Sequence, residues 1–128
     1  MRLLLDTHAI LWWLLGDLSL SSKARDAILR PDAEVAVSAV CAFEIATKHR
    51  IGKLPQAEGL AGAFQQMITD QGFRELDITM RHASMAGRLP FAHKDPFDRL
   101  LVAQAMSEDM TLVSNEAIFD TVGVSRLW

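Results

Sequence analysis

Short apolar runs alternate with helical patterns along this whole chain, and no other feature restricts its fold as much. Leu3-Leu4-Leu5, Val35-Ala36-Val37-Ser38, Phe73 to Ile78, Thr111 to Ser114 and Val124 to Trp128 read as strands. Helical stretches lie between them, at about 8–15, 23–30, 40–50, 58–71, 80–88 and 96–106, with one more short turn ending near Asp120. In the fourth helical stretch Leu60, Phe64, Met67 and Ile68 share one face, and Gly72 is the expected residue beyond its end. Connections are short, and there are no repeats or low-complexity tracts. Alternation of this kind buries the strands in a parallel sheet with helices on both faces. The expectation is a single α/β domain over residues 1–128. It has three layers around a central, mostly parallel sheet of about five strands.

Composition supports a packed domain and narrows its partners. Half of the 128 residues are hydrophobic and 23% are charged, which suits a sizeable core and argues against disorder. The net charge is −3, whereas an indiscriminate nucleic-acid binder is usually basic. Contact with nucleic acid would therefore need a local basic patch or a metal ion. Cys41 is the only cysteine, which excludes an internal disulfide and a Cys-rich zinc site. Its neighbours Val40, Ala42 and Phe43 make it a small buried hydrophobe. Asp6 stops the first apolar run too early for a signal peptide, and Ala9 to Leu15 is far short of the ~20 residues that span a bilayer. A soluble, cytoplasmic protein without a membrane partner is expected.

The segment from His93 to Ala105 carries the first chemical signal. Pro96 suits the first helical position, Asp95 the N-cap, and Asp98 the first turn, where the helix dipole favours a carboxylate. From Leu100 to Met106 only Gln104 is polar, so the helix is mostly buried and holds its acidic start in place. An Asp-Pro-x-Asp helix start needs no chemistry by itself. The wider pattern adds it: Asp6 follows the first strand, Glu44 lies on the helix after the second, and Glu116 follows the fourth. In a parallel sheet these positions line one edge, where such folds build their sites.

Carboxylates brought together this way repel by roughly 4 kcal/mol per pair at ~4 Å and an effective dielectric of ~20. The cluster persists if its members are protonated or if cations fill it. Oxygen-only donors suit Mg²⁺ or Mn²⁺. A divalent ion with open water positions is arranged for phosphodiester hydrolysis. Lys48, Arg50, Lys53, Lys94 and Arg99 supply a candidate phosphate-gripping rim. Each candidate also has a plainer explanation. Glu44 can pair with Lys48 across one helical turn, Ser38 can cap a helix, and His82 suits a solvated or hydrogen-bonded ring. Trp12 and Trp13 suit the core or a subunit contact better than a base-stacking platform.

Taken together, Leu4 to His8, Ser38 to Lys48 with Gly52-Lys53-Leu54, the 93–105 segment, and Leu112 to Phe119 resemble the PIN-domain ribonucleases. The likeness is strongest to VapC-type toxins of bacterial toxin–antitoxin pairs, and it runs nearly end to end. It implies the PIN fold and an RNA endonuclease dependent on Mg²⁺ or Mn²⁺. It also implies a homodimer and a cognate VapB-type antitoxin covering the acidic groove. Matched by position, the catalytic and metal-holding acids are Asp6, Glu44, Asp98 and Glu116. The last departs from the aspartate more common there. Thr7, Ser38, Asp95 and Ser114 fall in supporting positions. Two other readings stay open: an inactive PIN domain, and a non-catalytic receiver-like module. The receiver reading fits less well, because its third strand would have to end at Asp77-Ile78 and no lysine follows position 94.

Overall fold

Leu3, Leu4 and Leu5 are each fully buried. Successive strand residues face opposite ways, so both faces of the strand they form must be covered. In the computed structural model, which describes residues Met1–Trp128, this strand (β1, Arg2–Leu5) is the middle of a five-stranded sheet. The others are β2 (Glu34–Ser38), β3 (Arg74–Leu76), β4 (Thr111–Val113) and β5 (Arg126–Leu127). Their order is β3-β2-β1-β4-β5 and every pairing is parallel. Leu4 aligns with Ala36 on one side and Leu112 on the other.

Six helices complete the layers: α1 (Thr7–Leu15), α2 (Ser22–Leu29), α3 (Ala39–Arg50), α4 (Leu60–Asp70), α5 (Met80–Arg88) and α6 (Pro96–Ser107). Short 3₁₀ helices occupy Pro55–Ala57 and Ala117–Val122. The chain builds outward from β1 through β2 to β3, then returns to the other side of β1 for β4 and β5. Beyond the carboxyl ends of β1 and β4, where the order reverses, a crevice opens. This order also separates the fold from the receiver type, whose sheet runs 2-1-3-4-5. Asp77 follows β3 at the sheet edge, away from Asp6 after the central strand.

Helix starts follow the caps in the sequence. Asp6, Ser21, Ser38, Thr79 and Asp95 each accept a backbone N–H from the first turn beyond them. The fourth helix starts at Leu60 and not near 58, because Gly59 holds φ 80°, a left-handed backbone that cannot continue a helix. β3 and β5 are shorter than the apolar runs around them, as edge strands are, since they pair on one side only.

Polar groups inside the core are paired. The Ser38 hydroxyl donates to Gln104 Oε1 at 2.5 Å and accepts from the Val40 N–H at 3.0 Å. Gln104 Nε2 donates to the Asp77 carbonyl at 3.2 Å. His82 is buried, and its Nδ1 accepts the Thr79 N–H at 3.1 Å in a reciprocal capping box, so it is a satisfied histidine. Trp12 stacks on His8 and tilts against Trp128, while Trp13 meets Phe73 and donates to Gln71 at 2.8 Å. Both indoles are thus engaged within the chain, partly buried against the core.

Candidate active site

Asp6 sits at the topological reversal because β1 ends there and α1 begins. Its backbone N–H donates to the Val113 carbonyl of β4 at 3.0 Å, and its Oδ1 accepts the Ala9 N–H at 2.8 Å. Ser114, buried at the end of β4, lies beside the same carboxylate, and its hydroxyl accepts the Glu116 N–H at 3.0 Å. Asp6 is only 5% exposed, and no lysine or arginine pairs with it. Burial pushes its carboxyl from 3.8 up to about 6. The nearby Ser114 hydroxyl, the Ala9 N–H and the proximity of His8 pull the other way, and the Asp98 charge adds to the rise.

Glu44 arrives from the second turn of α3 and is buried. Its carboxylate is already engaged, with Thr7 Oγ1 donating to Oε1 at 2.5 Å and Lys48 Nζ 2.7 Å from Oε2. The helical pair anticipated from spacing therefore exists, but inside the site and not on a solvated face. Asp98, in the first turn of α6, is half-buried, and its Oδ2 lies 2.6 Å from His93 Nε2. Desolvation raises its carboxyl above the usual range, His93 opposes that, and the Asp95 charge reinforces it. Asp95 accepts the N–H groups of Phe97 and Asp98 at 2.9 and 3.2 Å, which is the capping role expected of it. Glu116 is exposed at the outer side.

These groups line one cleft of about 110 Å³ with no apolar wall, formed by Asp6, Thr7, His8, Glu44, Lys48, Asp95, Asp98 and Glu116. All four candidate acids thus meet, with Thr7, Asp95 and Lys48 beside them. Ser114 is outside the lining, and its hydroxyl holds the Glu116 N–H. Ser38 does not line the cleft, because its hydroxyl is spent on Gln104 and the Val40 N–H. Arg99 leaves the expected rim as well: its guanidinium turns inward onto backbone carbonyls. Arg50, Lys53 and Lys94 are exposed and outside the cleft lining. Sequence reasoning missed His93 and His8. The five-residue spacing from His93 to Asp98 spans a loop and a helix start, and no periodicity announces such a contact.

The donors fit a hard divalent cation. Asp6 and Asp98 carry negative charge without a lysine or arginine partner, and burial makes that charge costly until a cation arrives. No thiolate competes, because the buried Cys41 thiol is pushed up to about 12. His93, Asp95 and Asp98 also bring one donor atom each within 4.8 Å of one another.

Comparison with known proteins agrees with the fold. A search of curated proteins finds no match. Among solved structures, VapBC2 from Rickettsia felis bound to a DNA fragment from its promoter is similar at 15% identity and TM-score 0.74, covering 99% of this chain and 98% of that one. DNA-bound VapBC from Salmonella typhimurium is similar at 15% identity and TM-score 0.72, covering 100% and 97%. Mycobacterium tuberculosis VapC20, a sarcin-ricin loop cleaving toxin, is similar at 16% identity and TM-score 0.63, covering 95% of each. The PIN domain family model matches residues 3–124, nearly the whole chain, and the protein therefore belongs to the PIN domain family.

Proposed function

We propose that this protein is a Mg²⁺- or Mn²⁺-dependent endoribonuclease specific for single-stranded RNA, the toxin of a VapBC-type pair. One observation carries the reading: Asp6, Glu44, Asp98 and Glu116, from four distant segments, line a single cleft at the reversal of a parallel sheet in a PIN domain. Asp6 and Asp98 are the residues that would hold the cation directly, since neither has a lysine or arginine partner. Bound there, a divalent ion lowers the pKa of water and offsets charge on the attacked phosphate. Glu44, clamped by Thr7 and Lys48, orients the attacking water. Lys48 faces the same cleft and gives a phosphate oxygen a cationic neighbour. Thr7 fixes the Glu44 carboxylate, and Ser114 stands beside that of Asp6.

The likeness to VapBC structures supports one further part of the proposal, a cognate VapB-type antitoxin; a homodimer and a cytoplasmic setting complete it. No helix is long and apolar enough to cross a membrane. The test is cleavage of single-stranded RNA with Mg²⁺ or Mn²⁺ by wild type and by Asp98→Asn, purified in parallel. Wild type cleaves and the variant loses roughly a thousandfold, in line with removal of a metal-holding group. Equal rates would overturn the assignment. Failure of wild type to bind Mn²⁺ at millimolar concentration would favour an inactive PIN domain.

A further inference from the structure

The segment from Leu89 to Asp95, between α5 and α6, belongs to no helix or strand. Backbone carbonyls in such a segment still need partners when they lie against the protein. One side chain binds three of them and two more at the end of α5. Arg99 Nε donates to the Ala86 carbonyl at 3.0 Å, Nη1 to Phe91 at 2.5 Å and His93 at 3.1 Å, and Nη2 to Leu89 at 2.8 Å and Gly87 at 3.4 Å. All five donors of the guanidinium are directed at main-chain oxygens, and no carboxylate pairs with it. An arginine that grips RNA phosphate would keep its fork free; this one has none to spare.

The loop held this way ends on the cleft. Phe91 is buried and packs edge-on against Phe119 at 6.2 Å between ring centroids. The His93 ring lies 5.4 Å from Phe91 and 6.3 Å from Phe119. Its carbonyl is bound by Arg99 and its Nε2 meets Asp98 Oδ2, so backbone and ring are both located. Asp98 is one residue before Arg99 on the first turn of α6, which makes loop and helix start a closed circuit.

We infer that Arg99 is a positioning residue for the acidic cleft: its carbonyl clamp on the 86–93 segment sets His93, which fixes the Asp98 carboxylate that would hold the cation. This deepens the metal-dependent reading above and rests on it. Groups that orient a ligand from behind are worth about 10- to 100-fold in metal affinity. A lysine has a point charge and three donors, and cannot reproduce the fork.

The test is calorimetric titration of Mn²⁺ into wild type, Arg99→Lys, Arg99→Met, His93→Phe and His93→Gln, with circular dichroism to establish folding. Both Arg99 variants and His93→Phe should weaken Mn²⁺ binding by about 10- to 100-fold. His93→Gln retains an N–H donor at a similar reach and should restore most of it. Unchanged affinity in His93→Phe would overturn the inference even if the Arg99 variants failed to fold. A loss in His93→Gln as deep as in His93→Phe would overturn it too, making His93 a ligand in its own right. A raised KM for RNA in Arg99→Lys with unchanged Mn²⁺ affinity would return Arg99 to the phosphate rim. No Mn²⁺ binding by wild type would remove the metal-dependent reading itself, and this inference with it.

Discussion

Asp6 and Glu44 are buried to almost the same depth, at 5% and 8% exposure, yet they live under opposite conditions. Glu44 has an ammonium at 2.7 Å and a hydroxyl at 2.5 Å, so its charge is compensated by the fold. Asp6 has a backbone N–H but no lysine or arginine, and its carboxyl is driven up to about 6. The difference identifies which acid the fold leaves for something else to neutralise. A site made only of compensated carboxylates has no affinity left for a cation. One made only of bare carboxylates would repel itself apart. This cleft combines the two.

The sharpest way to break the contrast is to remove the uncompensated charge. Asp6→Asn keeps the acceptor for Ala9 N–H and the side-chain volume, but removes the negative charge. Cleavage should fall roughly a thousandfold and Mn²⁺ binding should drop below calorimetric detection, if the bare carboxylate is what attracts the ion. An Asn variant that still bound Mn²⁺ as wild type does would transfer that role to Asp98.

The same variant should be more stable than wild type once metal is chelated. A carboxyl at about 6 in the fold and 3.8 in the unfolded chain holds its proton longer when folded. Stability is therefore highest below pH 4 on this account, declines as pH rises through 6, and carries the full penalty above it. At about 1.36 kcal/mol per unit the limit is on the order of 3 kcal/mol, and Asp6→Asn should recover a large part of it at pH 7.5. Urea denaturation in chelator at pH 5 and pH 7.5 measures this. Wild type should gain stability on acidification through that interval by more than the variant does. Parallel pH profiles would mean that Asp6 is neutralised inside the protein after all.

Next in size comes the compensated acid. Lys48→Met keeps the aliphatic stem but strands a buried carboxylate, which should cost about 1–3 kcal/mol in the same denaturation assay. Lys48→Arg should restore most of that. If Lys48→Met were neutral, Thr7 alone would be holding Glu44, and Thr7→Val would show the loss instead.

How much of this could be read from residues alone follows from what each contact needs. The parallel sheet was legible because Leu3-Leu4-Leu5 and Val35-Ala36-Val37 declare strands covered on both faces. Helix starts at Ser38 and Asp95 were legible because capping is local. The Glu44–Lys48 pair was legible from one-turn spacing, but its burial was not, since Thr7 reaches it from 37 residues away. Arg99 was misplaced for a related reason. A basic residue near an acidic motif suggests phosphate, and only the folded 86–93 segment presents the carbonyls that hold it. Strand ends at β3 and β5 depend on how far a neighbour happens to pair, which hydropathy does not encode.

The smallest effect belongs to Glu116, the acid that departs from the usual aspartate. It is exposed at the open side of the cleft, so Glu116→Gln should change stability by no more than about 0.5 kcal/mol at any pH. Its influence on Mn²⁺ should be weaker than that of Asp6→Asn, because a solvated carboxylate attracts an ion through a high dielectric. Shortening it with Glu116→Asp should then matter little. A loss of Mn²⁺ affinity in Glu116→Gln as deep as in Asp6→Asn would show that exposure does not decide which acids bind, and that the cation sits further out than the Asp6–Asp98 side of the cleft.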